Sequence, residues 1–310
     1  MKPRKLQKGD TIGIVCPASA ISKTSPRIPI MEKYLINLGF NIKYGESFTA
    51  TYGYLAGDDW LRANDLKQMF LNPEVSAIIC MLGGYGCSRI VDLIDYQIIR
   101  NNPKLFIGFS DITVLLNAIN QKANIPTVHG VVGIYLGNPN MNLFSYQDFE
   151  ALILEDQKGR VLESPNSKCE TLIEGKATGE LVGGNLSLIN TLIGTPYEID
   201  FTDKIVFIEE VDEAPYRIDR YFSTLRLHKM FEKAKGFIFG YFTNCNPKEE
   251  NGWTSVDIIK QYIKKLNKPT IYNFASGHDF PFINLPIGLK VELDANKKTI
   301  KILEELYESN

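Results

Sequence analysis

The clearest indication of the fold is the stretch LFIGFSDITVLLNAINQKA (residues 105–123), where the pattern changes from strand to helix. Residues 105–109 form a continuous apolar run, which is typical of a buried parallel strand. Behind this run, apolar residues recur at the i, i+3, i+4 and i+7 spacing of a helix face: Ile112, Leu115, Leu116 and Ile119. The stretch therefore predicts a strand, a tight turn and a helix, with Ser110 in the turn.

Similar strand and helix patterns lie between this stretch and the N-terminus. Residues 11–16 and 75–81 are short apolar runs that predict buried strands. Residues 30–38 and 58–71 have helical patterns, and the second stops before an Asn-Pro pair. Strands that alternate with helices indicate a doubly wound parallel sheet, covered by helices on both faces.

The pattern changes after residue 160. The polar segment LESPNSKC (162–169) has the composition of a linker, and strand and helix patterns follow it in mixed order. We predict three parts: an N-terminal α/β domain over residues 1–160, a linker over 161–175, and a smaller mixed α/β domain over 176–310. The strand-like runs of the last part are residues 179–182, 204–208, 236–240, 270–272, 289–293 and 299–303.

Composition excludes several classes of protein. The chain has 310 residues and a net charge of −2, so no basic field draws it to nucleic acid or to an anionic membrane. The number of cysteines is five, which is odd, and none forms a Cys-x-x-Cys pair, so a disulfide framework or a zinc cluster is not expected. The apolar run behind the basic N-terminus is too short for a signal peptide, which predicts a cytoplasmic protein.

Residues 83–86 form a Gly-Gly-Tyr-Gly segment, called the glycine loop below. It follows the strand at 75–81, and a helix is predicted after it to about Ile94. Its backbone N–H groups could bind phosphate or stabilise an oxyanion, because such groups point outward where a strand turns into a helix. The segment lacks the full dinucleotide fingerprint and the P-loop lysine, and a tight turn alone would also explain its glycines.

Ser110 has two possible roles. Between a strand and a helix, its hydroxyl could be lifted above the sheet as a nucleophile. The segment lacks the full Gly-x-Ser-x-Gly pattern, because residue 112 is Ile. The alternative is that Ser110 caps the following helix, which is a common role for serine.

A nucleophilic serine needs a base and a carboxylate that orients the base. The chain has three histidines. We expect His228 to be solvated in a charged helix, His129 to follow a strand, and His278 to lie in a Gly/Pro-rich loop. Glu209 and Glu210 end an apolar strand, so either carboxylate could orient a histidine.

Several ordered motifs resemble the LD-carboxypeptidase family, which contains murein tetrapeptide carboxypeptidases and microcin-immunity peptidases. The resemblance extends from about residue 8 to residue 291. The motifs are LAGDDWLRANDL (55–66), GGYG (83–86), NPKLFIGFSDIT (102–113), GGNLSLINTLIGTP (183–196), FIEEVDEAPYRIDR (207–220) and GH (277–278).

The resemblance implies a role for five residues. Ser110 falls on the nucleophile of the family, Glu209 on its acid and His278 on its base. The backbone N–H groups of Asp111 and Gly84 fall on its oxyanion hole. It also implies that the triad spans the N-terminal domain, which carries the nucleophile elbow, and the C-terminal domain, which carries the acid and base.

The activity implied by the resemblance is hydrolysis of an L,D-peptide bond, with release of D-alanine from murein tetrapeptide during cell-wall recycling. No metal or cofactor, no nucleic acid and no membrane is expected to take part, and a homodimer is expected. The alternatives are a microcin-immunity peptidase that cleaves a peptidyl-nucleotide, and a non-catalytic protein that binds a nucleotide or anion. Leu82 and Val131 depart from the residues that many relatives carry, so the identity of the substrate is the open question.

Overall fold

The protein forms two units in a computed structural model that describes residues 1–247 and 252–308. The first unit contains Met1–Gln157, Asn284–Gly288 and the C-terminal segment that begins at Glu305. The second unit contains Lys158–Ile283 and Leu289–Glu304. Neither unit is therefore continuous in sequence.

The described residues contain fourteen strands and ten α-helices. The strands are β1 Thr11–Val15, β2 Asn41–Tyr44, β3 Val75–Cys80, β4 Leu105–Gly108, β5 Thr127–His129, β6 Val161–Glu163, β7 Glu170–Ile173, β8 Lys176–Asn185, β9 Ile205–Val211, β10 Gly236–Thr243, β11 Thr270–Tyr272, β12 Leu285–Ile287, β13 Lys290–Asp294 and β14 Thr299–Ile302. The helices are α1 Arg27–Asn37, α2 Asp59–Leu71, α3 Tyr96–Asn101, α4 Thr113–Ala123, α5 Gly133–Leu136, α6 Leu143–Leu154, α7 Leu186–Leu192, α8 Pro215–Leu227, α9 Met230–Lys233 and α10 Ser255–Ile263. Within these described ranges, no helix combines the length and the apolar character needed to cross a membrane.

The first unit is built on a six-stranded sheet in the order β12-β5-β4-β3-β1-β2. Strands β1 to β5 are parallel, and β12 pairs with β5 in the antiparallel direction. Every residue of β3 and β4 is buried, as expected for central strands with helices on both faces. The predicted doubly wound α/β fold of the N-terminal part is confirmed.

Strand β12 comes from the last tenth of the chain and is anchored in the first sheet by Asn284. The Asn284 side chain donates to Asp148 at 2.7 Å and accepts the N–H of Val131 at 2.9 Å. Asn284 is 1% exposed and Asp148 is 6% exposed, so both polar groups are bonded inside the unit. A Cβ on Gly130 would lie 2.6 Å from the Asn284 oxygen, so a glycine is needed beside this contact.

The second unit contains an eight-stranded sheet in the order β6-β14-β13-β8-β9-β10-β11-β7. Strands β8 to β11 are parallel, and the pairs on either side of them are antiparallel. This is the mixed α/β arrangement predicted for the C-terminal part. Residues 161–175, which the sequence predicts to be a linker, contain strands β6 and β7. The predicted domain boundaries stay a prediction.

The prediction of a helix directly after the glycine loop is wrong. Only a short 3-10 turn forms there, at Cys87–Arg89, and the next α-helix begins at Tyr96. Asp95 accepts the N–H groups of Gln97 and Ile98 and so becomes the N-cap of that helix. Three apolar residues between the two elements, Ile90, Val91 and Ile94, are buried although they lie in turns and not on a helix face.

Replacement of Asn284 by alanine is expected to destabilise the protein by about 1–3 kcal/mol, because it leaves the buried N–H of Val131 without its acceptor. Thermal unfolding of Asn284→Ala should show the loss. Asn140→Ala, at an exposed position of the same unit, is the matched control and should unfold like the parent protein. Equal unfolding temperatures for the two variants would contradict the anchoring role of Asn284.

Candidate active site

Ser110 lies in the tight turn between β4 and α4. Its φ is +64°, a left-handed conformation that is uncommon for a residue other than glycine. Its neighbours Phe109 and Asp111 are 2% and 1% exposed, whereas Ser110 itself is half-buried. The turn therefore presents the serine while it buries the residues on either side.

The structure contradicts the interpretation of Ser110 as a helix cap. Helix α4 begins at Thr113, and its N-cap is Ile112. Ser110 instead opens a 3-10 turn whose N-cap is Phe109. Ser110 thus occupies the N-cap position of neither helix.

The glycine loop lies directly against Ser110. A Cβ on Gly83 would be 2.8 Å from the Cβ and 3.0 Å from the Oγ of Ser110, which is closer than side chains approach. Gly84 has a φ of +106°, and a Cβ there would be 2.2 Å from the Oγ of Ser19. Close packing therefore requires glycine at both positions, and the positive φ of Gly84 is a second requirement for glycine at that position.

Glu209 and His278 form a pair in the second unit. The Nδ1 of His278 lies 2.7 Å from Oε2 of Glu209. The Glu209 side chain is 0% exposed and that of His278 is 13% exposed. Burial by itself lowers the pKa of His278, but the charge and hydrogen bond of Glu209, together with the charges of Glu210 and Asp212, raise this pKa above its ordinary value.

Two hydrogen bonds at Ser276 fix the loop that carries His278. The N–H of Tyr241 on β10 donates to the carbonyl of Ser276 at 2.9 Å, and the Ser276 hydroxyl donates to Ile283 at 2.8 Å. Gly277 lies between Ser276 and His278. Its φ is +128°, and a Cβ there would lie 3.0 Å from Oε2 of Glu209. A glycine before His278 therefore leaves room for the carboxylate to reach the imidazole.

Glu210 faces away from this pair. Its carboxylate accepts the side-chain amide of Asn185 at 2.8 Å and the N–H of Ser187 at 2.9 Å, at the start of helix α7. Burial and the nearby charge of Glu209 raise the pKa of Glu210 to about 7. Of the two acids that the residues alone left open, Glu209 is the one bonded to a histidine.

The other two histidines lie elsewhere. His129 is fully buried on β5, and its ring packs edge-on against Phe109 at 5.7 Å. His228 is exposed at the C-terminal end of α8, as predicted. Neither takes part in the pair with Glu209.

The two departures from the family pattern differ in accessibility. Leu82 is half-buried next to the glycine loop. Val131 is fully buried, and its N–H is bonded to Asn284. Leu82 is thus the departure whose side chain can meet a bound molecule.

The structure groups the predicted site residues in two sets. Ser110, Asp111 and Gly84 lie together in the first unit, and Glu209 and His278 lie together in the second unit. In the part of the chain that the structure describes, no three His, Cys, Asp or Glu side chains are grouped so as to hold a metal ion.

Two residues beside these sets had no role assigned from the sequence. Arg62 is fully buried and donates to the carbonyl of Gly86. Asn185 binds Glu210 and lies opposite Glu209 in the β8–β9 register. Both stand in quoted motifs, but their partners are far away in sequence, so no local pattern reveals their roles.

The family models for the LD-carboxypeptidase N-terminal domain and the LD-carboxypeptidase C-terminal domain match residues 12–130 and 178–293. The chain belongs to the LD-carboxypeptidase family, a family of serine peptidases. The family predicted from the sequence motifs is confirmed.

Similar proteins span nearly the whole chain. A probable murein peptide carboxypeptidase of Bacillus subtilis is 38% identical over 97% of this chain and 94% of its own length. The murein tetrapeptide carboxypeptidase of Pseudomonas aeruginosa is 29% identical over 92% of this chain and 94% of its own. Among solved structures, the wild-type microcin C7 self-immunity protein MccF superposes with a TM-score of 0.91 at 25% identity, covering 99% of this chain and 100% of that one.

The geometry predicts how His278 titrates. In the parent protein its pKa should lie above the ordinary 6.5, so its protonated form persists to higher pH. Glu209→Gln removes the charge but keeps the burial, so the pKa of His278 should fall relative to that of the parent protein. NMR titration of the three histidine rings measures this. Glu210→Gln is the control and should lower the pKa less, because Glu210 acts on His278 only through space; a larger shift in this control would contradict the pairing.

Proposed function

We propose that this protein is a serine carboxypeptidase that hydrolyses an L,D-peptide bond and releases D-alanine from murein tetrapeptide. Ser110 is the nucleophile, His278 the general base and Glu209 the carboxylate that orients it. The backbone N–H groups of Asp111 and Gly84 form the oxyanion hole.

The mechanism is acyl transfer to water. His278 takes the proton of the Ser110 hydroxyl while Oγ attacks the carbonyl of the L-residue before the terminal D-alanine. The N–H groups of Asp111 and Gly84 stabilise the negative oxygen of the tetrahedral intermediate. His278 then protonates the leaving amine, and water hydrolyses the acyl-enzyme with His278 as base again.

The observation that carries this proposal is the 2.7 Å contact between His278 and the buried Glu209. A buried carboxylate holds the imidazole in one orientation and tautomer and stabilises the imidazolium that forms during proton transfer. The left-handed turn at Ser110 supports the nucleophile role, because such turns lift a serine clear of a sheet. Membership of the LD-carboxypeptidase family supports the reaction class.

A second candidate substrate is a peptidyl-nucleotide. The solved relative MccF is named a self-immunity protein, and one of its structures is a complex with aspartyl sulfamoyl adenosine. This chain resembles MccF in fold over almost all of its length. The 38% identity to a probable murein peptide carboxypeptidase favours the murein substrate.

The cytoplasmic location and the homodimer remain part of this proposal. A cytoplasmic enzyme would meet murein peptides that have been returned to the cell for reuse.

The proposed reaction is tested by incubation with murein tetrapeptide, murein pentapeptide and a peptidyl-adenylate, with the products read by mass. We expect D-alanine and tripeptide from the tetrapeptide. Ser110→Ala should reduce this release by at least about 10³-fold, because the covalent step is lost. Release at the wild-type rate by Ser110→Ala would refute the assignment of Ser110 as the nucleophile. Cleavage of the peptidyl-adenylate alone would favour the second candidate substrate, a peptidyl-nucleotide.

The identity of the acid is tested by comparing two adjacent variants. Glu209→Ala should lower kcat by about 10²-fold or more, because His278 loses the group that orients it. Glu210→Ala should have a much smaller effect, because this carboxylate binds the start of α7. Steady-state rates of D-alanine release measure both, with unfolding temperatures as a check on folding. The reverse order of the two losses would move the acid by one position.

A further inference from the structure

The Asp111 carboxylate ties the turn at Ser110 to the end of the glycine loop. This carboxylate is 1% exposed, and its Oδ2 accepts the N–H of Cys87, the first residue after the loop, at 2.8 Å. Burial raises the pKa of Asp111, while the Cys87 hydrogen bond and the charge of Arg62 act in the opposite direction. Burying a carboxylate is unfavourable unless it is bonded, so this side chain is held in place by the groups around it.

Arg62 holds the same end of the loop from the side of helix α2. Its guanidinium is fully buried, and one nitrogen donates to the carbonyl of Gly86 at 2.9 Å and to that of Pro17 at 2.6 Å. A Cβ on Gly86 would lie 2.7 Å from this nitrogen. A planar, permanently charged group with several fixed donors holds backbone carbonyls in one geometry.

Ser19 holds the middle of the loop. Its Oγ accepts the N–H of Tyr85 at 3.1 Å, and its own N–H donates to the carbonyl of Gly83 at 3.3 Å. The peptide groups on both sides of Gly84 are thereby restrained. Asp111, Arg62 and Ser19 together fix the orientation of the loop next to Ser110.

We propose that the Asp111 side chain is a positioning residue that aligns the glycine loop, so that the N–H of Gly84 and the N–H of Asp111 itself converge on one oxyanion. This inference rests on the function proposed above. One residue then supplies the first oxyanion donor from its backbone and sets the second through its side chain. Losing one such donor costs about 10²–10³ in rate, and a displacement of about 1 Å can cost about 10².

The test compares Asp111→Ala with Asp111→Asn in the full-length protein. The readout is the rate at which a small fluorophosphonate labels Ser110, because this reaction uses the oxyanion hole but does not depend on the preferred peptide. Asp111→Ala should slow labelling by about 10- to 100-fold. Asp111→Asn should stay within about fivefold of the parent, because its amide oxygen can still accept the Cys87 N–H.

A control separates alignment from general loosening of the unit. Asp65 is a buried carboxylate of the first unit, 5% exposed, that accepts the N–H groups of Glu46 and Ser47. Asp65→Ala should lower the unfolding temperature but leave the labelling rate within about threefold of the parent. Equal slowing by Asp65→Ala and Asp111→Ala would overturn the proposal, and so would an unchanged rate in Asp111→Ala.

If Asp111→Ala does not fold, Ser19→Ala tests the loop from its half-exposed side. It removes the acceptor of the Tyr85 N–H and should slow labelling about tenfold, whereas an unchanged rate would overturn the alignment argument. Failure of the proposed function gives a different result. Labelling of Ser110 without release of D-alanine refutes the substrate and leaves the alignment standing, and a parent protein that is not labelled at Ser110 refutes both.

Discussion

The left-handed turn at Ser110 is the constraint that fixes the residues around it. A non-glycine residue in this conformation costs about 1 kcal/mol, so the surrounding packing must hold it. Gly83 must lack a side chain because a Cβ would lie 2.8 Å from the Cβ of Ser110. Gly108 must lack one because a Cβ would lie 2.6 Å from the side chain of Ile112. The turn at Ser110 thus constrains the strand before it, the 3-10 turn after it and the neighbouring glycine loop.

Adjacent carboxylates on strand β9 have different environments because successive side chains of a strand point to opposite faces. Glu209 faces His278, and Glu210 faces the start of helix α7, where backbone N–H groups and the helix dipole favour a negative charge. The proximity of two buried acids makes ionisation of both unfavourable, and the pKa of Glu210 is raised to about 7 in part by the charge of Glu209. The alternation of side chains along β9 therefore determines that Glu209, and not Glu210, is the partner of His278.

The sequence predicted the features that depend on neighbouring residues. The strand, turn and helix around Ser110 and most strand positions followed from local patterns, and the ordered motifs identified the family. Strand β12 could not be predicted, because its anchor Asn284 binds Asp148, 136 positions away. The role of Arg62 was missed because its partner Gly86 is 24 positions away. The helix predicted after the glycine loop does not form, because the apolar residues there are buried by tertiary packing without helical geometry.

The place of strand β12 has a consequence for how the protein is made. The first sheet needs residues 285–287 at its edge, although the rest of that sheet is complete by residue 129. During synthesis, strand β5 therefore presents unpaired backbone groups until most of the second unit has left the ribosome. Unpaired strand edges are sites of aggregation, and domains generally fold in the order in which they emerge. The nascent chain must keep this edge from pairing with other molecules for the time needed to translate more than 150 further residues.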